Sequence, residues 1–158
     1  MTELRKRTET NADADLARDR FESALAQHEP EFGRFFLARL LDLTISYDDE
    51  RLTCRVDVPL NRHFFNPQGS LHGGIVSTVM DISMGHLCHR YLSTAVTLEM
   101  KTTYLDRVLG PCWAEGKVLK PGRRIVQLES HLYNENDQLA AHATSTYHRI
   151  HKMESKTR

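Results

Sequence analysis

Residues 66–81 read NPQGSLHGGIVSTVMD, and this stretch decides the fold. A polar loop with Pro67 and Gly69 gives way at His72-Gly73-Gly74 to an apolar run, and within that run stands one carboxylate, Asp81. The pattern predicts a helix that begins near His72. On an ideal wheel of about 100° per residue, Ile75, Val76, Val79, Met80, Ile82, His86 and Leu87 share one broad side, which should pack on a sheet. The opposite strip holds Gly74, Ser77, Thr78, Asp81, Gly85 and Cys88. Exposed helix faces favour Lys, Glu, Arg and Gln over such small residues, so the strip should receive another backbone, a second subunit or a ligand. Asp81 is a poor helix former with no Lys or Arg at Ser77, Thr78, Met84 or Gly85, so it must serve something off the helix.

Outward from this helix the apolar period becomes two. On its N-terminal side, Leu52, Cys54, Val56 and Val58 alternate with polar residues, and a turn at Asp48-Asp49-Glu50 should join them to Leu43–Tyr47 as a hairpin. On its C-terminal side, strands are expected over Thr94–Tyr104, Cys112–Leu119, Arg124–Tyr133 and Gln138–Ile150, separated by Gly110-Pro111, Pro121-Gly122 and residues 134–137 (NEND). Short connections imply an antiparallel sheet, and one long helix after the early strands implies α+β, with the helix filling a curved sheet. Ahead of this lies a helical extension over residues 13–42, interrupted near Pro30. Residues 1–12 and 151–158 are polar and are expected to be a disordered tail and a polar tail, which leaves 43–150 as the main domain.

Composition narrows the function. The 158 residues carry 21 acidic and 21 basic side chains, so the net charge offers no general attraction to nucleic acid or to an anionic membrane. No run approaches the roughly 20 apolar residues that span a bilayer, and the first residues are charged rather than signal-like, so a cytoplasmic chain is expected. Cys54, Cys88 and Cys112 lack CxxC spacing and read as buried free thiols. The histidines show no HExxH or Cys/His zinc spacing, so no metal is expected, and His86 reads as a core residue.

The chemistry suggested by the helix has two parts. At its start, the backbone N–H groups of Gly73 and Gly74 meet the positive end of the helix dipole, a suitable cradle for a developing oxyanion. Asp81 is eight residues further on, about 12 Å along the axis at 1.5 Å per residue. Both cannot touch one carbonyl. A two-fold dimer with antiparallel helices would bring Gly73 of one subunit to Asp81 of the other.

The pattern Asn66-x-x-Gly69-x-x-His72-Gly73-Gly74, then Asp81, then residues 97–104 (TLEMKTTY), resembles the hotdog thioesterases of the phenylacetate-degradation type and their eukaryotic thioesterase-superfamily relatives. The resemblance covers residues 43–150 and implies a hotdog fold that hydrolyses acyl-CoA or aryl-CoA thioesters. It implies Asp81 as catalytic base or nucleophile, the Gly73 N–H as polariser of the thioester carbonyl, Asn66 as an aid in positioning carbonyl or water, and His72 as orienter of loop and substrate. Thr97 stands where related enzymes can have a serine that holds the water, although strand alternation sets it opposite Val96, Leu98 and Met100. Segments corresponding to Lys120, Arg123, Arg124 and Arg107 contact coenzyme A phosphates in relatives, and arginine forks suit phosphate. Coenzyme A would be part of the substrate, with no separate cofactor, and the assembly a homodimer or homotetramer. The plainer alternatives are a loop-capping Asn66, a structural His72 and an Asp81 that satisfies backbone. A hotdog module that binds acyl-CoA without turnover, as sensor or partner-binding domain, is the second class of reading, against which the carboxylate at Asp81 speaks.

Overall fold

The computed structural model describes residues 3–150, with side chains from Asp13 onward. The chain divides into two compact units between Leu43 and Thr44. The first holds α1 (Glu3–Gln27) and α2 (Phe36–Leu40). Helix thus begins ahead of Asp13, where the extension was expected to start; Glu3, Leu4, Arg5, Lys6 and Arg7 are residue types of high helix propensity. The break falls around Pro30, and Phe21 meets Phe36 edge-on across it, ring centroids 5.6 Å apart. Residues 1–2 and 151–158, the latter including the expected polar tail, lie outside the described residues.

The second unit is one six-stranded antiparallel sheet around one helix, the expected α+β hotdog arrangement. Strands β1 (Thr44–Asp48) and β2 (Thr53–Val58) form the hairpin, closed where the Asp48 carboxylate accepts the Glu50 and Arg51 N–H groups at 3.0 and 2.9 Å. Helix α3 is Gly73–Tyr91, followed by β3 (Ala95–Tyr104), β4 (Cys112–Pro121), β5 (Ile125–Tyr133) and β6 (Leu139–Arg149). The strand order is β1-β2-β4-β5-β6-β3. So β3 lies at the edge beside β6 rather than beside β4, although Gly110-Pro111 reads as a simple turn. The connection 105–111 makes this crossing, pinned where Leu105 and Asp106 N–H donate to the Ala140 carbonyl and Leu71 N–H donates to that of Val108. Among the described residues no helix is long and apolar enough to cross a membrane.

One side of α3 makes the core. Val79, Met80 and Leu87 are fully buried, as are Val56, Ala114, Val126, Leu128 and Leu132 on the strands, each large side chain worth about 1.5–3 kcal/mol. The helix lies close against β4 at Gly116, where an added Cβ would stand 2.9 Å from the Ser83 backbone. Ser83 hydroxyl donates to the Met80 carbonyl and bonds Ser130 Oγ at 2.9 Å, so this buried polar seam is satisfied. His86 is a core histidine as expected, 2% exposed, with Nδ1 2.8 Å from the Tyr47 hydroxyl; burial pulls its pKa down to about 4. The three cysteines are free and buried; burial raises the thiols of Cys54 and Cys112 to about 12 and that of Cys88 to about 11.

Candidate active site

The strip of small residues on α3 is partly covered from within the chain, with Gly74 exposed and Ser77, Thr78, Asp81 and Gly85 half-buried. Strands β3 and β6 lean their polar side chains onto it: Ser77 Oγ lies 2.6 Å from Tyr104 Oη and 3.4 Å from Thr102 Oγ1, and Gly85 faces the Tyr147 ring. The wheel misplaces Cys88, which is fully buried, and Ile75, which is half-exposed.

Asp81 meets two hydroxyls from this wall. Thr97 Oγ1 donates to its Oδ1 at 2.8 Å, and Tyr147 Oη donates to the same oxygen at 2.6 Å, with the Asp81 carbonyl 2.9 Å away. Oδ2 takes no partner among the described residues, and Asp81 is half-buried. One oxygen is therefore anchored and the other left for chemistry. Burial, then the Asp81 charge, holds the Tyr147 phenol far above its ordinary pKa, so it stays a proton donor.

Thr97 reaches Asp81 although simple alternation would put it opposite Met100. The register between β3 and β6 slips between Thr97 and Glu99. This bulge reverses the parity of the strand, so Thr97 before it and Thr102 and Tyr104 after it all face α3. Val96 and Leu98 stay outward at 46% and 58% exposure.

A second group forms at the start of α3. His72 is the N-cap, and its Nδ1 accepts the Gly74 N–H at 2.9 Å. The ring therefore carries its proton on the exposed Nε2. The approach is close: a Cβ at position 74 would stand 3.1 Å from Nδ1, so the ring would have to give by a few tenths of an ångström. The Gly73 N–H takes no partner among the described residues, as suits the first turn of a helix. Beside it opens a cavity of about 170 Å³ whose lining includes Asn66, Val76, Tyr104 and Arg107. Asn66 serves its own loop: its Oδ1 accepts the Gln68 and Ser70 N–H groups at 3.0 and 3.2 Å, and its Nδ2 donates to Ser70 Oγ at 3.1 Å. The turn also needs Gly69 at φ +80°. What remains for a ligand is the second Nδ2 hydrogen.

The basic turn forms a third group, with Lys120, Arg123 and Arg124 all exposed. Arg149 ties it to the far end of α3, donating to the Gly122 and Leu92 carbonyls at 3.2 Å each and to Ser93 Oγ at 2.8 Å. Gly73 and Leu92 are separated by the length of the helix, about 28 Å. So the chain brings Asn66, His72, Gly73 and Arg107 together and sets Asp81 with Thr97, while Lys120, Arg123 and Arg124 stand apart from both.

Residues 68–141 match the family model of the thioesterase superfamily. A Saccharolobus solfataricus protein named "Putative esterase" is 32% identical over 97 residues, which are 59% of this chain and 69% of that one. Among solved structures, a conserved protein of Pseudomonas aeruginosa is 29% identical with a TM-score of 0.67, covering 72% of this chain and 93% of that one. A Bacillus halodurans protein solved with coenzyme A shares the fold at a TM-score of 0.76 and 20% identity, over 90% and 94% of the two chains. The chain belongs to the thioesterase superfamily.

Proposed function

We propose that the protein hydrolyses acyl-CoA or aryl-CoA thioesters, with each site shared between two subunits. The observation that carries this reading is the geometry of Asp81: one carboxylate oxygen fixed by two hydroxyls, the other without a partner among the described residues, on a helix whose N-terminal N–H, likewise unpartnered among them, lies about 12 Å away along the axis. In a two-fold dimer with antiparallel α3 helices, the Gly73 N–H of one subunit holds the thioester oxygen while Asp81 of the other acts. As a base, Oδ2 takes a proton from water, the hydroxide adds to the carbonyl, and the proton passes to the departing thiolate. As a nucleophile, Oδ2 adds to the carbonyl carbon, the C–S bond breaks to release the thiolate and leave an acyl anhydride on Asp81, and water then cleaves that anhydride, its proton going to the thiolate. Either route converts thioester and water into acid and free coenzyme A. A thioester is electrophilic enough for one carboxylate and one oxyanion cradle to suffice.

Tyr147 is a positioning residue in this scheme, and Thr97 shares the task. His72 presents Nε2–H towards the substrate, and Asn66 holds the loop that precedes the oxyanion cradle. The cavity beside Gly73 would receive the group next to the carbonyl, with Arg107 at its edge. The two-fold axis also carries the Lys120, Arg123 and Arg124 turn of one subunit towards the Gly73 end of the other, where it would meet coenzyme A phosphates. The coenzyme A held by the Bacillus halodurans protein supports this ligand class.

Thiol release from a panel of acyl- and aryl-CoAs, followed with a thiol-capture reagent, tests the reading. Asp81→Asn should lower kcat by about 10²–10⁴-fold in a protein that still folds. Equal activity in the two proteins sinks the mechanism, and tight binding with no release from any substrate favours the non-catalytic module.

A further inference from the structure

On the face of the sheet turned away from α3, β5 and β6 assemble a cluster with no part in the thioester scheme. Along β5, Leu128, Ser130 and Leu132 point inward and are fully buried, so Glu129 and His131 point outward. His142 on β6 stands directly opposite His131 in the register. The two imidazoles stack with centroids 4.7 Å apart and planes 26° from parallel. His142 Nε2 lies 3.5 Å from Glu129 Oε2, and one donor atom from each of the three residues lies within 4.8 Å of the others. All three are half-buried.

From this juxtaposition we propose that Glu129, His131 and His142 form a binding site for a divalent transition metal of the zinc type, with the fourth position left to water. Two imidazoles and one carboxylate are the donor set such an ion prefers, whereas magnesium and calcium demand oxygen ligands. Bond lengths of about 2.0–2.1 Å at tetrahedral angles place the ligand atoms of a zinc site about 3.4 Å apart. The His142–Glu129 separation is already there, while the two imidazoles must turn out of their stack so that a nitrogen of each aims at the ion, a χ rotation open to half-buried side chains. The backbone need not move, because the ligands stand on two hydrogen-bonded strands. Lys117 bonds the other carboxylate oxygen, Oε1, at 3.1 Å and leaves Oε2 to the ion. Its charge opposes metal binding, but Lys117 is exposed enough to swing into solvent and the ion pair it gives up is a weak one. The bound ion would clip β5 to β6 on the sheet face opposite Asp81.

The test is calorimetric titration of the tag-free, chelator-treated full chain with zinc chloride. One site per chain is expected, with Kd in the micromolar range or below. His131→Ala and His142→Ala should each weaken it by at least about 100-fold, whereas Lys117→Ala should tighten it several-fold as the competing cation is removed. Zinc should also raise the Tm of wild type and leave that of the His131→Ala/His142→Ala double variant unchanged. If a histidine variant fails to fold, Glu129→Gln, which keeps the side-chain shape, must show the loss instead. A wild type without a saturable site, or a site that survives in the double variant, overturns the proposal.

Discussion

The two sides of α3 are built from different chemistry on one helix. Towards β2, β4 and β5 it offers Val79, Met80 and Leu87 to a dry core, with one satisfied serine seam at Ser83 and Ser130. Towards β3 and β6 it offers glycines, Ser77 and Asp81 to hydroxyls and leaves the contact half-open. The first side makes the fold, and the second holds a carboxylate in one orientation at the edge of solvent. Substitutions on the two sides should therefore fail differently, the first in stability and the second in turnover.

The largest effect after loss of Asp81 is expected from Gly73→Pro. Position 73 is the first of the helix, where proline is favoured, and His72 already has the extended φ −61°, ψ 134° that a following proline requires. The change removes the free N–H and keeps the helix, and its Cβ, 3.3 Å from the half-exposed Tyr104 ring, asks that ring to give by a few tenths of an ångström; kcat should fall by about 10²–10³-fold with the protein still folded. Unaltered kcat would remove the helix start from the chemistry.

On the core side, Met80→Ala should cost about 2–5 kcal/mol in denaturant unfolding, because Met80 is fully buried. At temperatures where the variant is folded its kcat should be near that of wild type. The converse result, unchanged stability with lost activity, would erase the distinction between the two sides.

Tyr147→Phe gives the smallest effect. It keeps the ring against Gly85 and removes one of two donors to Asp81, so kcat should fall about tenfold while KM stays within a factor of two, equivalent to about 1.4 kcal/mol of transition-state stabilisation. A rise in KM alone would make Tyr147 a packing residue.

Much of this contrast is legible in the sequence. The hairpin turn, the start of α3 and its apolar side follow from local chemistry, since Asp48, His72 and the helical period act over a few residues. The strand order is not legible, because β3 joins β6 through pairings 37–54 residues apart in the chain, with the crossing carried by the anchored connection 105–111. The bulge after Thr97 is hidden too: it breaks the alternation from which orientation is read. Tyr147 left a signal that the thioesterase pattern does not include. It continues the inward series Ala141, Ala143, Ser145, and a phenol on an inward position needs a partner, but which partner is set by folding it against a residue 66 positions away. The Glu129–His131–His142 cluster is invisible to linear metal spacing for the same reason, since one ligand arrives from the neighbouring strand.

The shared site is the central claim, and subunit complementation tests it most directly. Differently tagged Gly73→Pro and Asp81→Asn chains, each inactive alone, are co-expressed and the mixed assembly isolated through both tags. In a mixed dimer one site combines both lesions and the other combines intact Gly73 with intact Asp81, so thioester hydrolysis should return to about half that of wild type. A mixed assembly no more active than its parents would place Gly73 and Asp81 of the same subunit in one site and contradict the claim.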